Sequence, residues 1–473
     1  MPLMTNVKDE KIMMYGNITV DGVPFSRILK LKVWHNAGDH GYAEAAGEMT
    51  LDNAKKCMER SDETTQISIK CSNPSTTLFV GGIINIEAEY RHDYARVYIK
   101  AATISYQLDL DKKSCSFQNL KKKYMEILKT ALEKSSVKVD STITDKAIEK
   151  PVIRYKETDW AFARRMAAPF NAMVFVPIDG TTKQITIGLP KAAKSIDLKT
   201  EEYSMTVFNE DYQKFSKNSK DTGNIIQQDF SAITVPSLEY LHVGDKVKLN
   251  GKEYYVKNVR AELTTNNYME MEYDIAGKNG FVGNPPKFSL AGAMFMGQVK
   301  EVKEEKVKVH ILDIDDQYDS SGDWMFTYAT AYASKEESGW YVMPEKDDYV
   351  RVIFPSNDTS QAFASSTVNR VPGQKPEDKR FKAPKGKELL FTDKGIFITS
   401  SADKVFVNLS DDKGVEISSS KDVNIVSKKD ITIYAEKEVK ISGSSKVNIG
   451  CATSALNVGS SDITVSSGTI ALT

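Results

Sequence analysis

The C-terminal part of the chain repeats itself every eight residues. Over residues 415–450 the sequence reads VEISSSKD, VNIVSKKD, ITIYAEKE, VKISGSSK and VNIG. Each octad opens with a β-branched residue and places isoleucine two positions later, which puts both side chains on one face of a short strand. The polar residues that follow form a corner, so each octad predicts one strand and one turn.

A strand of this size is not stable by itself. Burial of two β-branched side chains contributes about 3 to 6 kcal/mol, whereas ordering eight backbone residues costs about 8 kcal/mol or more. Eight residues is also not the usual repeat of single-chain solenoids. Three identical chains wound into a triangular prism would supply the missing partners. The side chains expected inside this trimeric, intertwined β-helix needle are Val415, Ile417, Val423, Ile425, Ile431, Ile433, Val439, Ile441, Val447 and Ile449.

A meander of hairpins packed on another domain is the alternative for this segment. Hairpin corners usually contain Gly, Asn or Pro. The corners here read Ser-Lys-Asp, Lys-Lys-Asp and Lys-Glu, and no glycine occurs between Gly414 and Gly443. The corner composition therefore favours the needle, which we expect to run from residue 395 to residue 473.

Composition narrows the class of protein. Lys and Arg number 63 and Asp and Glu 64, so the net charge of −1 gives no sign of a nucleic acid or membrane partner. The N-terminus lacks the apolar stretch of a signal peptide, and the four cysteines show neither CxxC spacing nor a disulfide framework. We therefore expect synthesis in the cytoplasm without a signal peptide.

Hydrophobic periodicity predicts a mainly β (α+β) chain of several domains. Helices are expected over residues 119–135 and from near Thr158 to Pro169, where the apolar spacing changes to 3.6. The predicted domains are a barrel-like hub β domain (1–118), an α/β connecting segment (119–200), a second hub β domain (201–285), a compact strand set (286–370), a Pro- and Gly-containing linker (371–394) and the needle (395–473).

Three segments carry a family resemblance. The first is residues 79–119, which end in a Ser-x-x-Phe-Gln-like helix entry. The second carries the motif residues Tyr155, Glu157, Thr158, Asp159, Phe162 and Arg165. The third carries Gly339, Trp340, Pro344, Asp348, Val350, Val352 and Phe354, with Asp347 where a glycine is usual. Asp tolerates a left-handed turn better than most residues. In this order the segments resemble the VgrG family, the hub and spike proteins of contractile injection systems and myophage tails.

The resemblance implies an architecture and partners. Residues 286–370 would form an OB-fold barrel, and the hub domains of a homotrimer would form a ring of pseudo-sixfold character. The trimer would join the inner tube and baseplate proteins at the hub and a PAAR-type tip protein at the needle end, with effector cargo as a possible passenger. The chain would be assembled into the contractile particle, expelled outward on sheath contraction, and puncture the target envelope.

No catalytic site or cofactor is expected. The interval between the strand set and the needle is too short for an inserted enzyme, and neither HExxH, GxSxG nor a Walker-type loop occurs. The histidines at 35, 40, 92, 242 and 310 are interpreted as surface or half-buried residues. Asp313, Asp315, Asp316, Asp319 and Asp323 could hold a cation, but their order does not fit an EF-hand, and a solvated loop is the preferred interpretation.

Two further alternatives concern partners and function. Trp34, Trp160, Trp324 and Trp340 could stack on nucleic acid, but no basic stripe accompanies them, so core or interface packing is favoured. A trimeric β-helical tail fibre or adhesin that binds surface glycans is the alternative to the spike. Such proteins usually place a long solenoid with an aromatic groove in mid-chain, and none is evident here.

Overall fold

The computed structural model describes residues 12–62, 65–219, 222–336, 338–366, 373–401 and 404–469. Three parts of the predicted domains lie outside the described residues: residues 1–11 of the first hub domain, 371–372 of the linker and 470–473 of the needle. The chain divides into two compact units, Met1–Val368 and Asn369–Thr473. Strands predominate over helices, which confirms the predicted mainly β fold class.

The first unit contains four α-helices and twenty-two strands among its described residues. In its first part these are β1 (Ile18–Asp21), β2 (Arg27–Asn36), β3 (Gly41–Met49), α1 (Leu51–Arg60), β4 (Gln66–Ser72), β5 (Ser75–Tyr90), β6 (Ala95–Thr103), β7 (Lys112–Phe117), α2 (Tyr124–Leu132), β8 (Lys138–Ser141), β9 (Val152–Thr158), α3 (Asp159–Ala167), β10 (Val174–Phe175) and β11 (Gln184–Ile187). In its second part they are β12 (Ser195–Leu198), β13 (Ser204–Val207), α4 (Asn209–Asn218), β14 (Ser231–Ser237), β15 (Lys246–Leu249), β16 (Lys252–Leu263), β17 (Met269–Ala276), β18 (Ala293–Lys303), β19 (Lys306–Ile311), β20 (Phe326–Tyr328), β21 (Tyr349–Phe354) and β22 (Phe363–Ser365).

One large sheet joins the two predicted hub domains. Its order is β1-β4-β5-β6-β3-β2-β16-β17-β14-β13, and β15 connects β12 to β16. The antiparallel pairing of β2 with β16, with Trp34 opposite Arg260, makes the two halves continuous instead of two separate units. Alternation along β2 explains the layering, since Leu31 and Val33 are buried while Lys32 lies on the other face.

The connecting segment between the hub halves has the two predicted helices, with adjusted bounds. α2 starts at Tyr124, later than expected, whereas α3 begins directly after Thr158, whose hydroxyl accepts a hydrogen bond from the Ala161 amide at 3.1 Å. This N-cap explains why the second prediction was closer. Both helices pack on one apolar core with Phe162 fully buried.

Two helices within the predicted β domains were missed. α1 buries only Ala54, and α4 buries none of its residues. Helix prediction relies on an apolar face with 3.6-residue spacing, and neither segment needs such a face because neither is enclosed by the core.

A closed barrel follows the hub sheet. It runs β18-β19-β20-β22-β21, which is the predicted OB-fold domain. Val307, Val309, Val350 and Val352 fill its interior and are completely buried. Gly297 on β18 is required by close packing, because a Cβ atom there would lie 2.3 Å from Val309 Cγ1.

The second unit contains two antiparallel sheets among its described residues. The first sheet is β23 (Lys379–Ala383), β24 (Lys387–Thr392), β25 (Gly395–Ser401), β26 (Val405–Ser410) and β27 (Gly414–Ser419), and the second is β28 (Lys446–Cys451), β29 (Ser454–Gly459) and β30 (Ile463–Ser466). Residues 420–445, all described, contain no strand.

The second unit differs from the prediction in two respects. The predicted linker 371–394 contains the paired strands β23 and β24. The segment RFKA alternates polar and apolar residues, and it is joined to ELLFT by a turn at Lys385, whose φ is +62°. The first and last octads of the repeat lie in antiparallel sheets of hairpins. At these two places the structure agrees with the meander alternative. Between them, residues 423–445 pair with no strand among the described residues.

Candidate functional site

Two residues of the third family motif, Gly339 and Asp347, have positive φ angles. Asp347 adopts φ +72°, which confirms the expectation that it occupies a left-handed turn in place of glycine. Its amide donates a hydrogen bond to the Val299 carbonyl at 2.8 Å. Gly339 has φ +151°, and a Cβ atom there would lie 2.4 Å from the Tyr332 carbonyl oxygen, so glycine is required.

The acidic loop, residues 313–323, docks on residues 116–122, which lie just before α2. Asp315 accepts hydrogen bonds from the Ser116 amide at 2.5 Å and the Ser116 hydroxyl at 2.6 Å. Burial raises the pKa of Asp315, and the two hydrogen bonds oppose that rise. The preferred interpretation of a solvated loop is therefore wrong for Asp315, which is half-buried, because a strand some 200 positions away in the sequence covers it.

Other residues of the acidic loop reinforce this docking. Asp323 Oδ1 accepts a hydrogen bond from the Leu120 amide at 2.8 Å, and the Asp323 amide donates to the Gln118 carbonyl at 3.2 Å. Asp319 lies 3.5 Å from the Lys122 ammonium group. The loop is thus a latch between the OB barrel and the segment just before α2.

The latch leaves the cation hypothesis without support. Among the described residues, no group of three His, Cys, Asp or Glu side chains is arranged to hold a metal ion. The carboxylates are directed to different partners, since Asp313 accepts from the Met296 amide while Asp316 faces Lys134. Asp315, Asp319 and Asp323 instead hold the loop against residues 116–122.

The tryptophans differ in their surroundings. Trp160 is buried and Trp324 packs against the OB core, as the packing interpretation expects. Trp34 stacks on Tyr42 with ring centroids 5.5 Å apart. Trp340 is 61% exposed, so it is not a core residue of the single chain.

Two histidines are more deeply buried than expected. His35 and His40 are each only 2% exposed, so the surface or half-buried interpretation is wrong for both. Burial, with the neighbouring His242, lowers the pKa of His35 to about 3. Burial lowers the pKa of His40 to about 4, and its Nδ1 atom lies 2.9 Å from the Ser105 hydroxyl. Sequence alone missed this cluster because His242 is distant in the sequence from His35, which lies in β2, and from His40.

The octad side chains expected in the needle interior face solvent in the single chain. Nine of the ten are among the strongly exposed apolar residues, at 48 to 72% exposure, and Val447 is partly buried. The exposed nine are Val415, Ile417, Val423, Ile425, Ile431, Ile433, Val439, Ile441 and Ile449. Core strands of the first unit such as β2 bury their alternating apolar residues, whereas the octads expose theirs.

The sequence of the barrel matches a known protein family. Residues 296–368 match the family described as the type VI secretion system/phage-baseplate injector OB domain. A comparison with curated proteins finds no match. No helix among the described residues is both long and apolar enough to span a membrane.

Two solved structures share the fold over most of the chain. The E. coli c3393 protein, described as a component of the type VI secretion system with structural similarity to T4 bacteriophage tail proteins gp27 and gp5, superposes with a TM-score of 0.52 at 12% identity, covering 73% of this chain and 98% of that chain. A chain of the lidded Francisella PdpA-VgrG complex superposes with a TM-score of 0.51 at 10% identity, covering 83% and 76%. The protein therefore has a VgrG-like hub and spike fold and carries, over residues 296–368, the injector OB domain of type VI secretion systems and phage baseplates.

Proposed function

We propose that the protein is the homotrimeric hub and spike at the tip of a contractile injection system, where it joins a threefold needle to a sixfold inner tube and punctures the target envelope. The observation that carries this proposal is the exposed apolar stripe of the octad segment (residues 415–450), combined with the lack of strand partners over residues 420–445.

The stripe is too regular to be incidental. Ile425, Ile433 and Ile441 are 72, 69 and 65% exposed and recur every eight residues. A contiguous apolar surface of this kind marks an interaction site, and extended backbone without partners adds unpaired hydrogen-bonding groups to it. Two further copies of the same octads would cover both, because each copy presents the same spacing.

The fold supports the remaining parts of the proposal. In the sequence, the octads follow a first unit with a hub-like fold and a matched injector OB domain, which supports the spike assignment. The matched family and structures are those of structural tail and secretion components, in line with a chain that has no enzymatic activity. By analogy with this class, the partners are inner tube and baseplate proteins at the hub, a PAAR-type tip protein at the needle end, and effector cargo.

The test is the solution mass of the purified full-length chain by light scattering. The chain has a mass of 52.7 kDa, so a trimer has a mass of about 158 kDa, three times that value. Ile433→Asp would place three carboxylates together in an apolar interior and is expected to abolish the trimer. Thr432→Asp, at the neighbouring position that would face outward in the proposed needle strand, is the matched control and should remain trimeric. A monomeric wild-type chain, or a trimeric Ile433→Asp variant, would contradict the proposal.

A further inference from the structure

One edge of the large hub sheet is unusually exposed. β13 (Ser204–Val207) pairs with β14 through one side, and no described residue pairs with its other side. All four residues of β13 are exposed, Met205 by 60% and Val207 by 47%. Edge strands of a packed sheet normally bury one face. β13 instead presents unpaired backbone groups and apolar side chains together.

The sequence around β13 also lacks the usual protection of an open edge. Residues 203–208 read YSMTVF, without a charge, a proline or a glycine. Proteins commonly protect exposed edges with charged residues, and an uncharged segment of high β-propensity is otherwise prone to aggregate. Several other edge strands of the first unit carry charges, at Asp21 in β1, at Lys112 and Lys113 in β7, and at Lys138 and Asp140 in β8.

The β13 edge is held in a fixed position by its neighbours. The Phe208 amide donates a hydrogen bond to the Phe230 carbonyl at 2.7 Å. The rings of Tyr212 and Phe215 lie 5.5 and 5.4 Å from the Phe230 ring, which anchors α4 beside the strand. Ile226, four residues before Phe230 in the sequence, is 54% exposed and adds to the exposed apolar residues of this region. The edge is therefore preformed, which lowers the entropic cost of adding a partner strand.

We propose that β13 of one protomer is extended by a strand of a second copy of this chain, an inference that rests on the trimer proposed above. At the opposite end of the same sheet lies a strand of the same length, β1 (Ile18–Asp21), and no described residue pairs with its outer side. Asp21 in β1 is already paired with Lys70 at 2.9 Å, so it brings no unpaired charge to the contact. A contact between two different edges is heterologous, and a closed ring of three such contacts would leave neither edge free.

Photo-crosslinking of the full-length protein tests this proposal. A photo-reactive residue in place of Thr206, which is exposed on β13, should give an adduct of two chains whose second peptide contains residues 18–21. The same residue in place of Thr130, exposed on α2, is the control and should give no two-chain adduct. An adduct at another peptide of the second chain would overturn β1 as the partner strand.

The solution mass separates failure of this inference from failure of the proposed function. A trimer without a two-chain adduct at position 206 would overturn the edge contact and leave the spike proposal standing, whereas a monomer would contradict both. Adding Val207→Lys to the crosslinking variant should reduce the adduct by about tenfold, because a lysine on the edge opposes strand addition. Lys129→Ala, on exposed α2, is the matched control and should leave the adduct unchanged, and equal yields for the two variants would overturn the proposal.

Discussion

The OB barrel and the octad segment use the same alternating pattern and place their apolar residues differently. Val307, Val309 and Val352 of the barrel are completely buried by the chain itself. Ile417, Ile425 and Ile433 of the octads are 63, 72 and 69% exposed. Alternation therefore shows that a strand has an apolar face, but not which polypeptide covers that face. The barrel closes on itself, whereas residues 421–445 pair with no strand among the described residues.

A buried charge in the first unit should give the largest intrachain effect. Arg154 is 1% exposed and its guanidinium lies 2.7 Å from Asp159, which is also buried. Arg154→Ala should lower the free energy of unfolding of the first unit by about 3 to 5 kcal/mol, because it leaves a buried carboxylate less well paired. Chemical denaturation monitored by tryptophan fluorescence measures this, with Lys121→Ala on the surface as control. An unchanged midpoint would show that the ion pair is dispensable.

Truncations in the two regions should differ in their dependence on protein concentration. Phe354→Ala opens a cavity in the OB core and should cost about 3 to 5 kcal/mol at every protein concentration. Ile425→Ala should weaken the second unit in a manner that depends on protein concentration, because assembly is linked to folding there. Thermal melts at concentrations differing by about a hundredfold distinguish the two cases. A concentration-independent Ile425→Ala effect would remove the contrast between the regions.

Acid should destabilise the first unit selectively. The pKa values of His35 and His40 are lowered in the folded state to about 3 and about 4, so the unfolded state binds more protons once the pH falls below the ordinary histidine value. Stability should therefore be unaffected above pH 7 and fall below about pH 6.5, by about 2 kcal/mol per histidine at pH 5.

The histidine prediction has internal controls. All five histidines precede residue 369, so the second unit should show no histidine-linked loss in the same range. His35→Gln should remove about half of the pH dependence between pH 7 and pH 5, while the exposed His92→Gln should retain it. Equal pH dependence in wild-type and His35→Gln chains would show that burial of His35 is not the cause.

Loosening the acidic loop should have the smallest effect. Ser116→Ala removes the hydroxyl that donates a hydrogen bond to Asp315 at 2.6 Å and keeps the hydrogen bond from the Ser116 backbone amide. It should lower the free energy of unfolding by about 1 kcal/mol. Asp316→Asn is the control, since that carboxylate is 88% exposed, and should change stability by less than about 0.5 kcal/mol. A larger cost for Asp316→Asn than for Ser116→Ala would contradict the latch.

Sequence reasoning succeeded where the signal was local. The compact strand set over residues 286–370 and the helix that starts near Thr158 were both predicted, because the alternation in β18, β19 and β21 and the N-cap at Thr158 are set by residues adjacent in the chain. The left-handed Asp347 was also expected from its place in a turn motif. Such features depend on backbone preferences and on nearby side chains, so one sequence is sufficient to find them.

The rest depends on contacts between distant residues. The docking of Asp315 on Ser116 joins positions 199 residues apart, and the β2–β16 pairing merges two segments that appear independent in sequence. The burial of His35 follows from that packing. The helix α4 was not predicted because it buries none of its residues and so does not need an apolar face. The needle interior remains a prediction, because its partners would lie on other chains.

Hydrogen exchange of the backbone amides of residues 420–445 in the full-length chain tests the central claim most directly. In an intertwined trimer these amides are paired with neighbouring chains, so they should be protected to a degree comparable with the OB strands β18, β19 and β21. Exchange of these amides at the rate of an unstructured peptide, in a sample whose OB strands remain protected, would contradict the needle.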